Sequence, residues 1–312
     1  VSEAPSSQNF AQELVEHVGQ VLRGKRNELQ HCVTTLLAGG HLLIEDKPGV
    51  GKTLLARALA RALALPFQRV QCTADLLPTD VIGAQVYHPQ SGELSFRPGP
   101  VFTSILLADE LNRTPPRTQS ALLECMAERN VTIERTTHEL PDPFFVIATQ
   151  NPLAFAGTYP LPESQLDRFL MRLELGYPEP ESERDIVMQE DGHRLVDQLE
   201  ALGQEDALRN TFVQARAAVD AVHMSVELVD YIVALAQRTR VSPDVELGIS
   251  TRGAQALHRA CRARAVTEGR DFVVPDDVQR LLLPVCSHRL VAPAGANEAV
   301  LQELLESVPS PD

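Results

Sequence analysis

The segment Asp46-Lys47-Pro48-Gly49-Val50-Gly51-Lys52-Thr53 constrains this chain more than any other stretch. It follows the apolar run His41 to Glu45 and opens a helical pattern from Thr53 to Leu63. Strand, glycine loop and helix, in that order, let a backbone wrap around a phosphate group. Gly49 and Gly51 allow N–H groups to turn toward phosphate oxygens, and the helix N-terminus adds its dipole. Lys52 supplies a point charge and Thr53 a hydroxyl for Mg²⁺. The expected nucleotide-binding residues of this loop are Pro48, Gly49, Val50, Gly51, Lys52, Thr53 and Leu54. Leu54, Leu55, Ala58, Leu59, Ala62 and Leu63 form an apolar stripe that docks the helix, with Arg57 and Arg61 facing out. One position departs from the G-x-x-x-x-G-K-T pattern: Asp46 stands where glycine is expected.

The chain has 312 residues, which at roughly 150 per domain suggests about two domains. Between residues 41 and 175, five short apolar runs alternate with helical patterns: His41 to Glu45, Phe67 to Cys72, Ser104 to Ala108, Phe144 to Thr149 and Phe169 to Leu175. Such alternation predicts an α/β core, a parallel five-stranded sheet flanked by helices. Tyr177-Pro178-Glu179-Pro180 breaks the pattern. The expected division is therefore an α/β core over residues 1–178 with an N-terminal helical segment, and a smaller all-α domain over 179–312. In the second part, apolar positions recur at helix spacing in Leu228 to Ala236. Ser250 to Val266 is rich in Ala, Leu and Arg, and Pro275 suits the first turn of a helix reaching Leu283. Residues 1–8 and 307–312 read as frayed ends, and no repeat of 20 to 50 residues is present.

Three further signals fall beside the loop in this arrangement. Ser104 to Ala108 runs into Asp109-Glu110, which places two carboxylates at the carboxyl edge of a parallel sheet. Asp109 would hold Mg²⁺ through water and Glu110 would act as general base on the attacking water. Phe144 to Thr149 ends in Gln150-Asn151-Pro152, where Asn151 could orient that water. Arg168, in Leu166-Asp167-Arg168-Phe169, and Arg252, in Ser250-Thr251-Arg252, are candidates for stabilising charge on a γ-phosphate. Taken singly, Asp-Glu is a common solvated turn, Asn-Pro a common turn and either arginine an ordinary surface ion pair. Their ordered spacing favours the joint reading.

Composition removes several other classes. No stretch approaches the ~18 to 20 apolar residues of a membrane span, and Val1 to Phe10 lacks the basic start and apolar core of a signal peptide. The expectation is a soluble, cytoplasmic protein with no integral membrane segment. Five cysteines without a C-x-x-C pair read as small buried apolar residues rather than disulfides or a zinc ribbon. The histidines are scattered without ligand spacing. A formal charge of −14, with no basic run longer than Arg23 to Arg26, disfavours a nucleic-acid partner.

The order of these motifs resembles the AAA+ ATPases. The closer likeness is to the MoxR family, carried by residues 43–53, by Asp75-Leu76-Leu77-Pro78-Thr79-Asp80-Val81-Ile82-Gly83 and by Phe96-Arg97-Pro98-Gly99-Pro100-Val101-Phe102. Residues 108–119 and Tyr159-Pro160-Leu161-Pro162-Glu163-Ser164-Gln165-Leu166-Asp167-Arg168-Phe169 extend it, so that it runs from about residue 10 to about 292. An acidic residue at the position of Asp46 is familiar in that family. The resemblance implies an AAA+ P-loop core followed by a helical lid, and a ring, commonly a homo-hexamer, that binds ATP and Mg²⁺ between subunits. It implies that Arg168 reaches a neighbour's γ-phosphate, that Arg252 senses the phosphate of its own subunit, and that Gly24, in Val21 to Lys25, lies near adenine. The segments Val86 to Arg97 and Val131 to Leu140 match two family insertions that project toward the ring face or pore, although their loop residues also read as ordinary hairpin turns. Family members typically work with a separate protein carrying a von Willebrand type A domain, and this chain has no Asp-x-Ser-x-Ser segment of its own. The implied function is an Mg²⁺-dependent ATPase that remodels, activates or matures a client protein, including assembly of a metal centre or complex. The alternatives are the motor subunit of a metal-chelatase-like complex and a nucleotide-gated scaffold with little turnover.

Overall fold

The computed structural model describes residues 9–90, 92–152, 157–188 and 192–311. The expected fraying of residues 1–8 and of residue 312 lies outside them, as does the side chain of His193. Helices α1 (Phe10–Gly19) and α2 (Arg26–Leu37) precede strand β1 (Leu42–Glu45), which leads into α3 (Lys52–Ala62) and β2 (Phe67–Gln71). A short α4 (Pro78–Ile82) is followed by the hairpin β3 (Gly83–His88) and β4 (Glu93–Pro98), then β5 (Ile105–Asp109) and α5 (Pro116–Glu128). A second hairpin, β6 (Asn130–Ile133) and β7 (Thr136–Glu139), precedes β8 (Phe145–Gln150), α6 (Glu163–Leu166) and β9 (Met171–Leu173). The remainder is helical: α7 (Pro180–Met188), α8 (Gly192–Gln198), α9 (Glu205–Ala221), α10 (Val226–Val241), α11 (Thr251–Thr267), α12 (Pro275–Cys286) and α13 (Asn297–Ser307).

The five expected strands form one sheet in the order β2-β5-β8-β1-β9, and all of its pairings are parallel. The central strands β1, β5 and β8 are almost continuously apolar because both of their faces are covered, whereas the edge strand β2 alternates. Leu42 and Ile44 of β1, Ile105 and Leu107 of β5, and Phe145 and Ile147 of β8 enter the layer that also holds α1, α2 and α3. The alternate residues Leu43, Leu106, Ala108, Val146 and Ala148 enter the opposite layer with α5. Each such Leu, Ile or Phe side chain contributes roughly 1.5–3 kcal/mol by leaving water. The five cysteines are buried and unpaired.

The apolar layer on the α1–α3 side continues into α9 to α12. Local signals start two of these helices: Ser225 caps α10 by accepting from the Leu228 N–H, and Ser250 caps α11 by accepting from the Gly253 N–H. Polar ties reach from the helical part to the sheet. Arg172 on β9 pairs with Glu45 on β1 at 3.1 Å and with Glu298 on α13. Arg57 and Arg61, expected to face out, turn from the sheet but meet α8, where Arg57 pairs with the Asp197 carboxylate at 2.7 Å and Arg61 donates to the Asp197 carbonyl at 2.8 Å. Helix α8 covers that face of α3. Among the described residues, no helix is long and apolar enough to cross a membrane.

His41 sits immediately before β1 and is buried. Its Nε2 lies 3.1 Å from the Met126 carbonyl, and the Val146 N–H donates to its Nδ1 at 3.1 Å. This pair of bonds requires the neutral ring with the proton on Nε2, since a protonated Nδ1 would face the Val146 donor. Burial lowers its pKa to about 4, and burial likewise lowers that of His288. Both groups bind protons more readily in the unfolded chain. The His41 contribution is therefore complete above the unfolded value of about 6.5 and is lost as pH falls toward about 4, and that of His288 is lost in the same direction. We expect urea midpoints to drop steadily across that window, and substitution His41→Gln to flatten part of the slope. An unchanged slope would remove His41 from the account.

Candidate nucleotide site

Gly49 and Gly51 adopt φ of 88° and 99°, values that disfavour any side chain. Among the described residues, and apart from the chain neighbours, no heavy atom lies within 4 Å of the position that a Cβ would occupy on either residue, so the inner face of the loop is open. Helix α3 begins at Lys52 directly behind it. A cavity of about 430 Å³ lies in front, lined by Pro48, Gly49, Gly51, Lys52, Thr53, Leu54, Arg69, Asp109, Glu110, Asn151 and Gly192. That volume falls within the range of small-ligand sites, roughly 300–1,000 Å³.

The departure from the glycine pattern has a structural job. Asp46 is nearly buried; one carboxylate oxygen accepts the Lys47 N–H at 2.7 Å, and the other accepts the Gly176 N–H at 2.6 Å. The side chain thus fastens the root of the loop to the segment that leaves β9 for α7. A glycine would supply no such tie. The Asp46 carbonyl accepts from Lys52 Nζ at 2.6 Å, which parks the ammonium at the rim of the loop. Desolvation lowers the Lys52 pKa, and the carboxylates of Asp46, Asp109 and Glu110 oppose that change.

The two carboxylates come from the end of β5. Asp109 accepts from the Thr149 hydroxyl at 2.7 Å and from Arg69 Nη2 at 2.6 Å. The Glu110 N–H donates to the same Thr149 oxygen at 2.8 Å. Glu110 has a left-handed backbone, φ 59° and ψ 48°, which is uncommon for a side chain of its size and typical of functional turns. Its carboxylate accepts from Arg113 at 3.0 Å and faces the Gln71 amide at 3.5 Å. Asn151 follows β8, which lies between β1 and β5, and lines the cavity from that side. Thr53 and Asp109 both line the cavity and offer hard oxygen donors, a set suited to Mg²⁺.

Of the sequence-predicted residues, those from Pro48 to Leu54, apart from Val50, line the cavity with Asp109, Glu110 and Asn151. Val50 packs against the apolar layer instead. Arg168 is exposed, is not among the lining residues, and donates to the Leu123 carbonyl at 2.5 Å. Arg252 is 77% exposed and lies 3.6 Å from an Asp167 oxygen, also away from the lining. Gly24 has φ 71°, and a Cβ there would meet the Ser182 side chain at 2.8 Å, so its segment packs on α7 rather than lining the cavity. Residues that sequence reasoning missed are Arg69, Thr149 and Gly192. Arg69 and Gln71 flank buried Val70 on β2, and this polar alternation at a sheet edge was the available signal. Thr149 gave none, being one more residue of an apolar strand.

The two hairpins fall where insertions were expected. The His138 ring on β7 stacks on Phe96 of β4 with centroids 4.2 Å apart, joining them. Tyr87 and Leu94 are cross-strand partners on β3 and β4, and both are exposed.

Replacing Thr149 by Val keeps the shape but removes the oxygen that serves both Asp109 and Glu110. A part-buried N–H and a carboxylate would lose a partner, at a cost of about 1–3 kcal/mol. Urea denaturation measures this directly, and a midpoint equal to that of the unaltered chain would mean that the bridge contributes nothing.

Comparison with known proteins agrees with this geometry. The family model described as ATPase family associated with various cellular activities (AAA) matches residues 41–171, and the AAA lid domain model matches residues 237–308. The chain is 44% identical to uncharacterized protein YeaC of Bacillus subtilis, over 95% of this chain and 93% of that one. It is 40% identical to chaperone MoxR1 of Mycobacterium tuberculosis, over 94% and 80%, and 32% identical to protein MoxR of Paracoccus denitrificans, over 92% and 91%. A crystal structure from Cytophaga hutchinsonii, named as a candidate ATPase, superposes with a TM-score of 0.87 at 35% identity, covering 98% of this chain and 96% of that one.

Proposed function

The chain belongs to the MoxR family of AAA+ ATPases, and from that premise we propose that it hydrolyses ATP at sites shared between the subunits of a ring, commonly a homo-hexamer, so as to remodel or mature a client protein. The observation that carries the reading is the convergence of Lys52, Thr53, Asp109, Glu110 and Asn151 on one cavity in front of an open glycine loop. We read residues 1–178 as the nucleotide-binding core and 179–312 as the lid.

Each group has one task in this scheme. The N–H groups of the loop and the start of α3 receive the phosphates, and Lys52 leaves the Asp46 carbonyl to neutralise the terminal ones. Mg²⁺, held by Thr53 and by Asp109 through water, would offset charge on the phosphate oxygens. Asn151 orients a water in line with the γ-phosphorus, and Glu110 takes a proton from it as the bond to the ADP oxygen breaks. Arg252 contacts the phosphate of its own subunit and Arg168 that of the neighbour. The exposure of Arg168 outside its own cavity supports a role in trans. Gly24 and its neighbours would lie on the adenine side. The name of the Mycobacterium tuberculosis relative supports a chaperone-like task, and a separate protein carrying a von Willebrand type A domain is the partner that we propose.

Three outcomes test this. Specific ATPase rate should climb with protein concentration as mass measurements register assembly. Lys52→Ala should abolish binding of a fluorescent ATP analogue. Arg168→Ala should retain that binding while losing on the order of 10³-fold or more in turnover. Wild-type turnover by Arg168→Ala would overturn the shared site, and no hydrolysis even in assembled rings with a partner present would overturn the enzyme.

A further inference from the structure

Arg289 belongs to the helical part of the chain but spends its hydrogen bonds on the core. It closes the short 3-10 turn Ser287–Arg289 that follows α12, and its side chain is 4% exposed. Nε donates to an Asp167 carboxylate oxygen at 2.7 Å. Nη2 donates to the carbonyls of Phe169 at 2.6 Å and Asp167 at 3.2 Å, while Nη1 donates to the Leu170 carbonyl at 3.0 Å and to the Val285 carbonyl of α12. His288 beside it meets the Phe169 carbonyl at 3.0 Å. One planar guanidinium therefore grips residues 167, 169 and 170, the segment in which Arg168 sits.

The grip has a second branch. The other Asp167 oxygen lies 3.6 Å from Arg252, at the first turn of α11. A single carboxylate, 19% exposed, is thus shared between a buried lid arginine and an exposed one. The segment around Arg168 cannot shift relative to the lid without breaking several directional bonds inside the protein, where their loss is expensive.

We infer that Arg289, acting through Asp167 and the backbone of residues 167–170, positions Arg168 for its work on the neighbouring subunit, so that Arg168 moves with the lid of its own subunit. The inference rests on the shared-site reading above. Arg289 touches no substrate and is a positioning residue. Its effect is transmitted by geometry: a displacement of a catalytic group by about 1 Å can cost on the order of 10²-fold in rate. In this arrangement, when Arg252 turns to the phosphate in its own cavity, it leaves Asp167 to Arg289 alone. The segment serving the next cavity thereby registers whether its own cavity is filled.

Subunit mixing tests the inference. Arg289→Gln subunits keep an intact cavity, and Glu110→Gln subunits keep an intact Arg168. Each alone should turn over at about a hundredth of the normal rate or less, with binding of a fluorescent ATP analogue preserved. Mixed, they should exceed the sum of the two by several-fold, because an intact Arg168 then enters an intact cavity. Arg168→Ala mixed with Glu110→Gln is the control. If that control fails to recover, the shared site is wrong and this inference falls with it. If the control recovers while neither the Arg289→Gln nor the Asp167→Ala mixture does, or if Arg289→Gln alone hydrolyses at the normal rate, the positioning role is overturned. Asp167→Ala repeats the test with Arg289 left on its carbonyl acceptors, so that a folding defect in Arg289→Gln cannot decide the outcome. Recovery by Asp167→Ala supports the inference and its absence, beside a recovering control, refutes it.

Discussion

The position of β8 between β1 and β5 is the constraint on which the rest of this structure depends. Parallel register sets Ala148 opposite both Leu43 and Ala108, so the three strands end together. That common edge receives the glycine loop from β1, the carboxylates from β5 and Asn151 from β8. Parallel strands need crossover connections, and the helices that make the crossovers bury both faces of the sheet. Inside that dry, rigid framework a single hydroxyl, that of Thr149, can accept from the Glu110 backbone and donate to Asp109. The Asp109 carboxylate and the Glu110 backbone are thereby held at fixed positions, the kind of preorganisation that electrostatic catalysis requires.

The overall charge of −14 would repel a polyanion at a distance, yet the cavity is locally balanced. Arg69 pairs with Asp109 and Arg113 with Glu110, while Lys52 lies among Asp46, Asp109 and Glu110. The start of α3 adds positive potential at the point where phosphate would enter. Local geometry outweighs the mean field because fixed charges a few ångströms away in a partly desolvated cleft act more strongly than screened surface charges.

The helical part is joined to the sheet by polar ties as well as by apolar packing. Arg172 joins Glu45 to Glu298, and Arg289 grips residues 167–170. Each tie lands at a strand end or beside one, close to a functional segment. Directional bonds of this kind add to close apolar packing in fixing one relative placement. The arrangement fixes the helical part against particular residues at the sheet edge.

The sequence by itself determined the elements whose causes are local. The glycines at 49 and 51, the apolar runs of the five strands and Pro275 at the start of α12 are each read from neighbours within a few positions, and the order of motifs carried the family. Strand ends differed by a residue or two from the apolar runs, because pairing rather than hydropathy decides where a ladder stops. Only the tertiary structure decided what Asp46 does, since its partner Gly176 is 130 residues away, and what Arg289 does, since Asp167 is 122 residues away. It likewise moved Arg57 and Arg61 onto α8, put Arg69 on Asp109, and packed Gly24 against α7. Such contacts leave no local trace, because strand order and helix packing, not spacing along the chain, bring the partners together.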